Sequence, residues 1–331
     1  DNSPIFFKYP LISLIIKKEH TTEKIIAKIE EYDYIAIYRH VNPDFDAFGS
    51  QLGMYDMIKA TYPDKKVFLC GDSSSELVKK YTVVFEHQEV DYTKDILGIV
   101  LDTANIERID DQRYQLCKEI IKIDHHLVVD SYGTLNYEDS SASSASQLVG
   151  TIFKDTAMKI TKSGAEALYL GIVGDTARFM YRNTDERTFA VAGALVQEGI
   201  DIVEIYNRIY MKKAKDLQIN KFILNNHQFD GGVAYYVLSD ADLKMLEISR
   251  ERGSDFVNLL SGVEEYKIWM ALTENVADHN WRVSLRSRDY AVNKVAEKYN
   301  GGGHMLASGA KLASLEQLGQ LLQDLKEIIN E

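Results

Sequence analysis

The densest chemistry in the chain lies in seven residues, His40-Val41-Asn42-Pro43-Asp44-Phe45-Asp46. One imidazole and two carboxylates at that spacing are the hard donors that Mn²⁺, Mg²⁺ or Zn²⁺ accept. Pro43 sets a bend, and Gly49-Ser50 opens the segment that follows. The same kind of polar ending recurs three times: Asp102 follows an apolar run, Asp124-His125-His126 follows Ile120-Ile121-Lys122-Ile123, and Gly174-Asp175-Thr176 follows another apolar stretch. Any one of these aspartates alone reads as a turn or helix cap. Together they make a full donor set for two divalent cations, each needing about four ligands when water is counted. His40, Asp44 and Asp102 hold the first ion in this reading, and Asp46, Asp102, His125 and Asp175 hold the second. Two ions about 3.5–4 Å apart activate a water and clamp a phosphoryl oxygen, so phosphate-ester hydrolysis needs no catalytic serine or cysteine.

These groups need a scaffold that gathers strand ends. Residues 34–38, 66–70, 95–103 and 120–124 read as short apolar strands, and the continuous run around Asp95–Thr103 suits a parallel strand covered on both faces. Helical periodicity at 49–60, 165–173 and 185–198 alternates with them, which predicts an α/β fold with a parallel sheet. Ligands in such sheets collect beyond the carboxyl ends of the strands. Thr21-Thr22-Glu23 reads as the capped start of an amphipathic helix, and Ser73-Ser74-Ser75-Glu76 as a second cap. Ser140–Ser146 reads as a helix N-terminus whose free N–H groups could hold an anion, or as plain capping by small residues. Gly199 closes the helix before it.

At 331 residues the chain predicts two domains. The boundaries read as 1–205 for a metal-binding catalytic domain, 206–228 for a charged helical linker, and 229–331 for a smaller C-terminal α/β domain. In that last part, strands are expected at 233–238, 263–272 and 281–287, with Arg282, Ser284, Arg286 and Arg288 on one face. A helix at 291–299, a tight loop at Asn300-Gly301-Gly302-Gly303-His304 and a last helix at 315–329 follow. The net charge of −12 argues against a broad grip on duplex nucleic acid, though not against small phosphorylated ligands. Two cysteines, Cys70 and Cys117, make no disulfide framework and fit a reducing cytoplasm. The apolar N-terminal runs are broken by Lys8, Pro10 and Lys17-Lys18, too short to span a bilayer, and no small-residue cleavage site follows them.

His40-x-x-x-Asp44-x-Asp46, then Asp102, then Asp124-His125-His126, then Gly174-Asp175-Thr176, resembles the DHH phosphoesterase superfamily in the order of its four motifs, over roughly residues 20–200. The C-terminal Gly301-Gly302-Gly303-His304 resembles the DHH-associated domain. The resemblance implies two divalent cations on the ligands named above, manganese being usual, with Mg²⁺ or Co²⁺ as substitutes. It implies that His126 faces the substrate phosphate and that Asp124 orients a neighbouring histidine, so that Asp102, Asp124 and His126 form the catalytic group. Arg286, Gly302, Gly303 and His304 would bind substrate, with the active site in the cleft between the domains. RecJ-type exonucleases carry further domains, manganese pyrophosphatases lack Gly-Gly-Gly-His, and membrane-bound cyclic-dinucleotide enzymes carry transmembrane segments. The compact branch that remains hydrolyses very short single-stranded RNA (nanoRNA) and removes the 3′-phosphate of adenosine 3′,5′-bisphosphate (pAp). Phosphodiesterases for pApA or cyclic di-AMP are the alternative, as is a non-catalytic nucleotide-binding regulator. Relatives of this kind are often homodimers.

Overall fold

A computed structural model describes residues 10–72 and 89–330, with side chains from Thr21 onward. The expected cap at Ser73–Glu76 lies outside the described residues. Two compact units divide the chain, Asp1–Tyr210 and Met211–Glu331.

The first unit is built on five parallel strands, β1 (Tyr34–Tyr38), β2 (Lys66–Leu69), β3 (Ile96–Leu101), β4 (Glu119–Asp124) and β5 (Leu135–Glu138), in the order β2-β1-β3-β4-β5. β1 (Tyr-Ile-Ala-Ile-Tyr) and β3 (Ile-Leu-Gly-Ile-Val-Leu) are apolar throughout, and their buried residues run without alternation, as a parallel strand covered on both faces requires. One face packs on α1 (Pro10–Glu31), α2 (Phe45–Thr61), α3 (Ala145–Asp155) and α4 (Lys162–Asp175) through Ile25, Ile29, Met54, Met57, Val149 and Leu168. The other face buries Ala36, Tyr38, Val100, Ile109 and Tyr114. α5 (Glu186–Gln197) and α6 (Ile202–Tyr210) complete the unit. Gly199 follows α5 with φ of +78°, the left-handed conformation that ends helices.

The helix expected to be capped at Thr21 instead begins at Pro10, and Thr22 is buried within it. Proline is well suited to the first turn of a helix, where its missing N–H has no partner to lose.

α2 and α4 cross closely because glycines face each other. A Cβ on Gly49 would stand 2.4 Å from the Ala167 carbonyl oxygen, so no side chain fits. This approach sets the start of α2 beside the end of α4.

The second unit holds a six-stranded sheet in the order β10-β11-β9-β8-β7-β6. Its strands are β6 (Gln228–Asp230), β7 (Val233–Leu238), β8 (Ile268–Asn275), β9 (Asn280–Ser287), β10 (Gly302–His304) and β11 (Ala307–Leu312); only β7 and β8 pair in parallel. One sheet face packs on α10 (Val292–Lys298) and α11 (Leu318–Asn330) through Leu285, Val295 and Leu325. On the other face, α7 (Ala214–Asn226), α8 (Asp240–Leu246), the short α9 (Arg250–Gly253) and the turn at Val257–Leu260 cover β7 and β8 through Ile219, Tyr236, Leu243 and Leu260.

The segment read as a linker is divided between the units: Tyr206, Ile209 and Tyr210 of α6 pack against the first core, and Ile219 and Ile223 of α7 join a core of the second. The loop expected at 300–304 is a correction of a different kind. Gly302–His304 pairs antiparallel with Ala307–Gly309 as one arm of a hairpin, because the glycines let its backbone lie against its partner without side-chain clash.

Candidate metal centre

Parallel pairing puts the carboxyl ends of β1, β3 and β4 on one edge, with Tyr38 beside Val100 and Leu101 beside Ile123. The next residues along each strand are therefore neighbours: His40, Asp102, and Asp124 with His125. Asp102 has φ of +51°, a left-handed conformation costing a non-glycine residue on the order of 1–3 kcal/mol. Its N–H still bonds Ile123 O at 3.0 Å, so the ladder is kept while the side chain turns onto the sheet edge.

Asp44 caps α2, accepting Asp46 N and Ala47 N on Oδ1 at 3.0 Å each. Oδ2 is left facing His40 Nε2 at 3.8 Å. His40 Nδ1 lies 2.8 Å from Val41 O, which places the proton on Nδ1 and leaves Nε2 able to act as a donor to a metal. That Nε2 stands 3.4 Å from Asp102 Oδ2. On the other side of Asp102, Oδ1 stands 3.4 Å from His125 Nε2. His125 Nε2 is also 3.7 Å from Asp46 Oδ2 and 3.3 Å from Asp175 Oδ2. Asp175 ends α4, placed by the Gly49 contact. The six residues thus form two groups that share Asp102: His40, Asp44 and Asp102, and Asp46, Asp102, His125 and Asp175.

Asp46 is fully buried, and α3 meets it head on. Ala145 N donates to Oδ2 at 2.7 Å and Ser146 N to Oδ1 at 2.8 Å. The helix N-terminus at Ser144–Ser146 does hold an anion, and that anion is a protein carboxylate. His126 Nδ1 is 2.8 Å from Asp124 Oδ1. Asp124 is in turn 3.4 Å from the ammonium of Lys122, a fully buried lysine. Lys122 also donates to Glu138 Oε1 at 2.7 Å, Asp130 O at 2.7 Å and Ala104 O at 3.1 Å. Sequence reasoning missed this residue, although a lysine inside Ile120-Ile121-Lys122-Ile123 is itself a signal. It also missed Arg108, whose guanidinium lies 3.5 Å from His40 Nδ1. Both of those atoms carry protons, so this is proximity and not a hydrogen bond.

The electrostatics of the cluster are set by burial and by carboxylates crowded around two imidazoles. Burial opposes protonation of His40, but the neighbouring carboxylates of Asp102 and Asp44 outweigh it and push the imidazole up to about 10. His125 rises to about 10 in the same way, against burial, through Asp102, Asp46 and Asp175. Burial and the Asp102 charge push Asp46 up to about 7, and burial with the charges of Asp46 and Asp102 pushes Asp175 well up. Asp102 is held low by His125 and His40 despite its burial, and Asp124 by His126 despite its own. A divalent cation fits this set. Asp102 Oδ1 is buried and receives no hydrogen bond. Its 3.4 Å approach to His125 is too long for a charge-assisted hydrogen bond. It leaves a nitrogen and an oxygen lone pair close enough to be donors to one cation.

The remaining candidates lie in the second unit. Arg286 on β9 is beside Ala307 on β11, and Ala307 is beside His304 on β10, so the three form one row across the sheet. Arg286 Nη1 donates to Leu285 O at 2.8 Å. Gly303 has φ of +140°, open to glycine and strained for other residues. A Cβ on Gly302 would meet nothing within 4 Å.

Residues 34–172 match the DHH family N-terminal domain, and residues 230–331 match the DHHA1 domain. The chain belongs to the DHH family. It is 38% identical, over 93% of its length and 98% of the relative's, to the bifunctional oligoribonuclease and PAP phosphatase NrnA of Bacillus subtilis. The protein of that name from Mycoplasma genitalium is 33% identical, over 95% of this chain and 99% of its own. An exopolyphosphatase-related protein from Bacteroides fragilis shares the fold, with a TM-score of 0.83 at 24% identity over 95% of this chain and 98% of that structure. Among the described residues no helix is long and apolar enough to cross a membrane.

Proposed function

We propose that the protein is a metal-dependent phosphoesterase that hydrolyses very short single-stranded RNA to mononucleotides and pAp to AMP. The observation that carries this is Asp102, whose two oxygens face two different histidines at 3.4 Å each. A carboxylate so placed could serve both ions of a pair, with His40 and Asp44 holding one and Asp46, His125 and Asp175 the other. When bound, two divalent cations supply the charge that activates water and polarises the phosphoryl group. Mn²⁺ is the proposed metal, with Mg²⁺ or Co²⁺ able to replace it.

The chain's own residues do the rest. Asp44 and Asp46 are fixed by backbone N–H groups of α2 and α3, so each presents a set lone pair without rearrangement. Asp124 holds the His126 ring by Nδ1, leaving Nε2 to meet the substrate phosphate. Lys122 keeps Asp124 ionised from behind. Arg286 and His304 grip the nucleotide, and the bare backbone of Gly302 and Gly303 lets it come close. The names of the 38% and 33% identical relatives support this substrate pair. The acidic chain fits small nucleotides and short strands in the cytoplasm better than duplex DNA. The test is turnover of pAp, pApA, cyclic di-AMP and a trinucleotide RNA at equal concentration, with Mn²⁺ and with chelator. Metal-dependent turnover of pAp and the trinucleotide is expected. Preference for cyclic di-AMP or pApA points to the dinucleotide enzymes, and binding without turnover to a regulator.

A further inference from the structure

The open part of the second sheet carries a feature that the reading above does not use. The helices on that face cover β7 and β8, and β9 and β11 are left with a cavity of about 210 Å³ beside them. Strand register gives the layout of this sheet face, which the cavity meets at Ser284 and Gly309 in one row and at Arg282 and Lys311 in the next. Arg286, Ala307 and His304 form the first row, Ser284, Gly309 and Gly302 the second, and Arg282 with Lys311 the third. Paired residues on neighbouring strands share a face, and so do alternate residues along a strand. All three rows therefore face the same way, and Val283, Leu285 and Ala310 point into the core on the opposite side. The middle row is two glycines and a serine, a floor with almost no side chain. The third row is two exposed cations set directly across from each other.

Like charges opposed across an antiparallel pair destabilise it. Among the described residues neither the Arg282 guanidinium nor the Lys311 ammonium makes a hydrogen bond or an ion pair that offsets this; Lys311 bonds only through its backbone, its N–H donating to Tyr299 O at 2.8 Å. Arg250 stands at the wall of the same cavity, but Glu251 beside it takes its charge, donated from Nε at 3.0 Å. The unneutralised pair is thus Arg282 and Lys311. Four residues of strand separate them from Arg286, about 13 Å at roughly 3.3 Å per residue.

We propose that Arg282 and Lys311 form a second phosphate subsite, which holds a downstream phosphate of a short single-stranded oligonucleotide whose first nucleotide lies on Arg286 and His304. This rests on the substrate reading above. The small middle row lets the intervening sugar and phosphate lie against the sheet, as backbone-tracking grooves for single strands do. Phosphate contacts of this kind position a strand without reading its sequence. The subsite therefore separates substrates by length: a trinucleotide reaches it and pAp does not.

The experiment uses the full chain with Mn²⁺ and the double variant Arg282→Glu/Lys311→Glu, with Arg282→Gln/Lys311→Gln beside it. KM and kcat are measured for pAp and for a triadenylate at several salt concentrations. The subsite predicts that KM for the triadenylate rises about tenfold or more in the Glu variant and less in the Gln variant. It predicts that the salt slope for the triadenylate falls by about 1 per lost contact, with pAp kinetics held within twofold, which also shows that the variants fold. Unchanged triadenylate KM, or an equal loss on both substrates, overturns the subsite. If the unmodified protein turns over neither substrate, the function reading fails instead, and that result is distinct from either of these.

Discussion

Asp46→Asn should make the metal-free protein more stable and the metal-loaded protein less so. Asp46 is fully buried among Asp102, Asp175 and Asp44, and its carboxyl is raised from 3.8 to about 7. A raised carboxyl binds protons in the folded state that it has lost in the unfolded one, so its contribution to stability falls as pH rises from about 4 to 7. At about 1.36 kcal/mol per pH unit, the ionised group weakens the metal-free fold at pH 8 by about 4 kcal/mol. Asparagine removes that charge. It also has one acceptor oxygen for the two donors Ala145 N and Ser146 N, and leaving one unsatisfied costs about 1–3 kcal/mol. The balance is a gain of about 1–3 kcal/mol at pH 8 in chelator. The gain should vanish below about pH 4, where aspartate is protonated in both states. With Mn²⁺ at about 100 times its dissociation constant, the unmodified protein gains about 2.7 kcal/mol, and the variant should lose most of this. Urea denaturation in chelator and in Mn²⁺, at pH 8 and pH 4, measures all four values. A variant less stable than its parent in chelator at pH 8 would refute the picture of a carboxylate strained by a missing cation.

Three further outcomes follow from the same geometry. His40 and His125 sit at about 10, above the ordinary 6.5; their paired charges stabilise the metal-free fold fully below pH 6.5, and that contribution is lost as pH rises toward 10. Metal binding needs both rings neutral, so it should release protons and tighten with pH across that window, read by titration calorimetry in two buffers of different ionisation enthalpy. Lys122→Met leaves Glu138 and Asp124 buried without their cation and should cost roughly 3–5 kcal/mol in urea denaturation. Gly301→Ala should raise KM for pAp and leave Mn²⁺ affinity unchanged, because its Cβ would stand 1.9 Å from Gly309 O and displace the hairpin bearing His304; equal Mn²⁺ and pAp effects would argue against separate roles for the two units.

The strands of the first sheet were legible because each is a short apolar run closed by a polar residue, and the register of a parallel sheet then aligns those endings. β5, by contrast, is the four-residue edge strand Leu135–Glu138, too short and mixed to show a period. The β10–β11 hairpin was read as a loop because glycines carry no hydrophobic signal. The docking of α3 on Asp46 joins residues about a hundred positions apart, and nothing local announces it. The motif at Ser140–Ser146 raised the question of an anion, and only the packing of α3 against α2 supplied the answer. Lys122 was visible as a charge in an apolar strand, yet its role depends on Glu138, Asp130 and Ala104, which the fold brings in from three other segments.

The central claim is that one centre, joined at Asp102, hydrolyses both the internucleotide and the 3′-phosphate ester. Turnover of a dinucleotide and of pAp by Asp102→Ala, with Mn²⁺ in excess, tests it most directly. Loss of both activities together is the predicted result. Turnover retained on either substrate would contradict it.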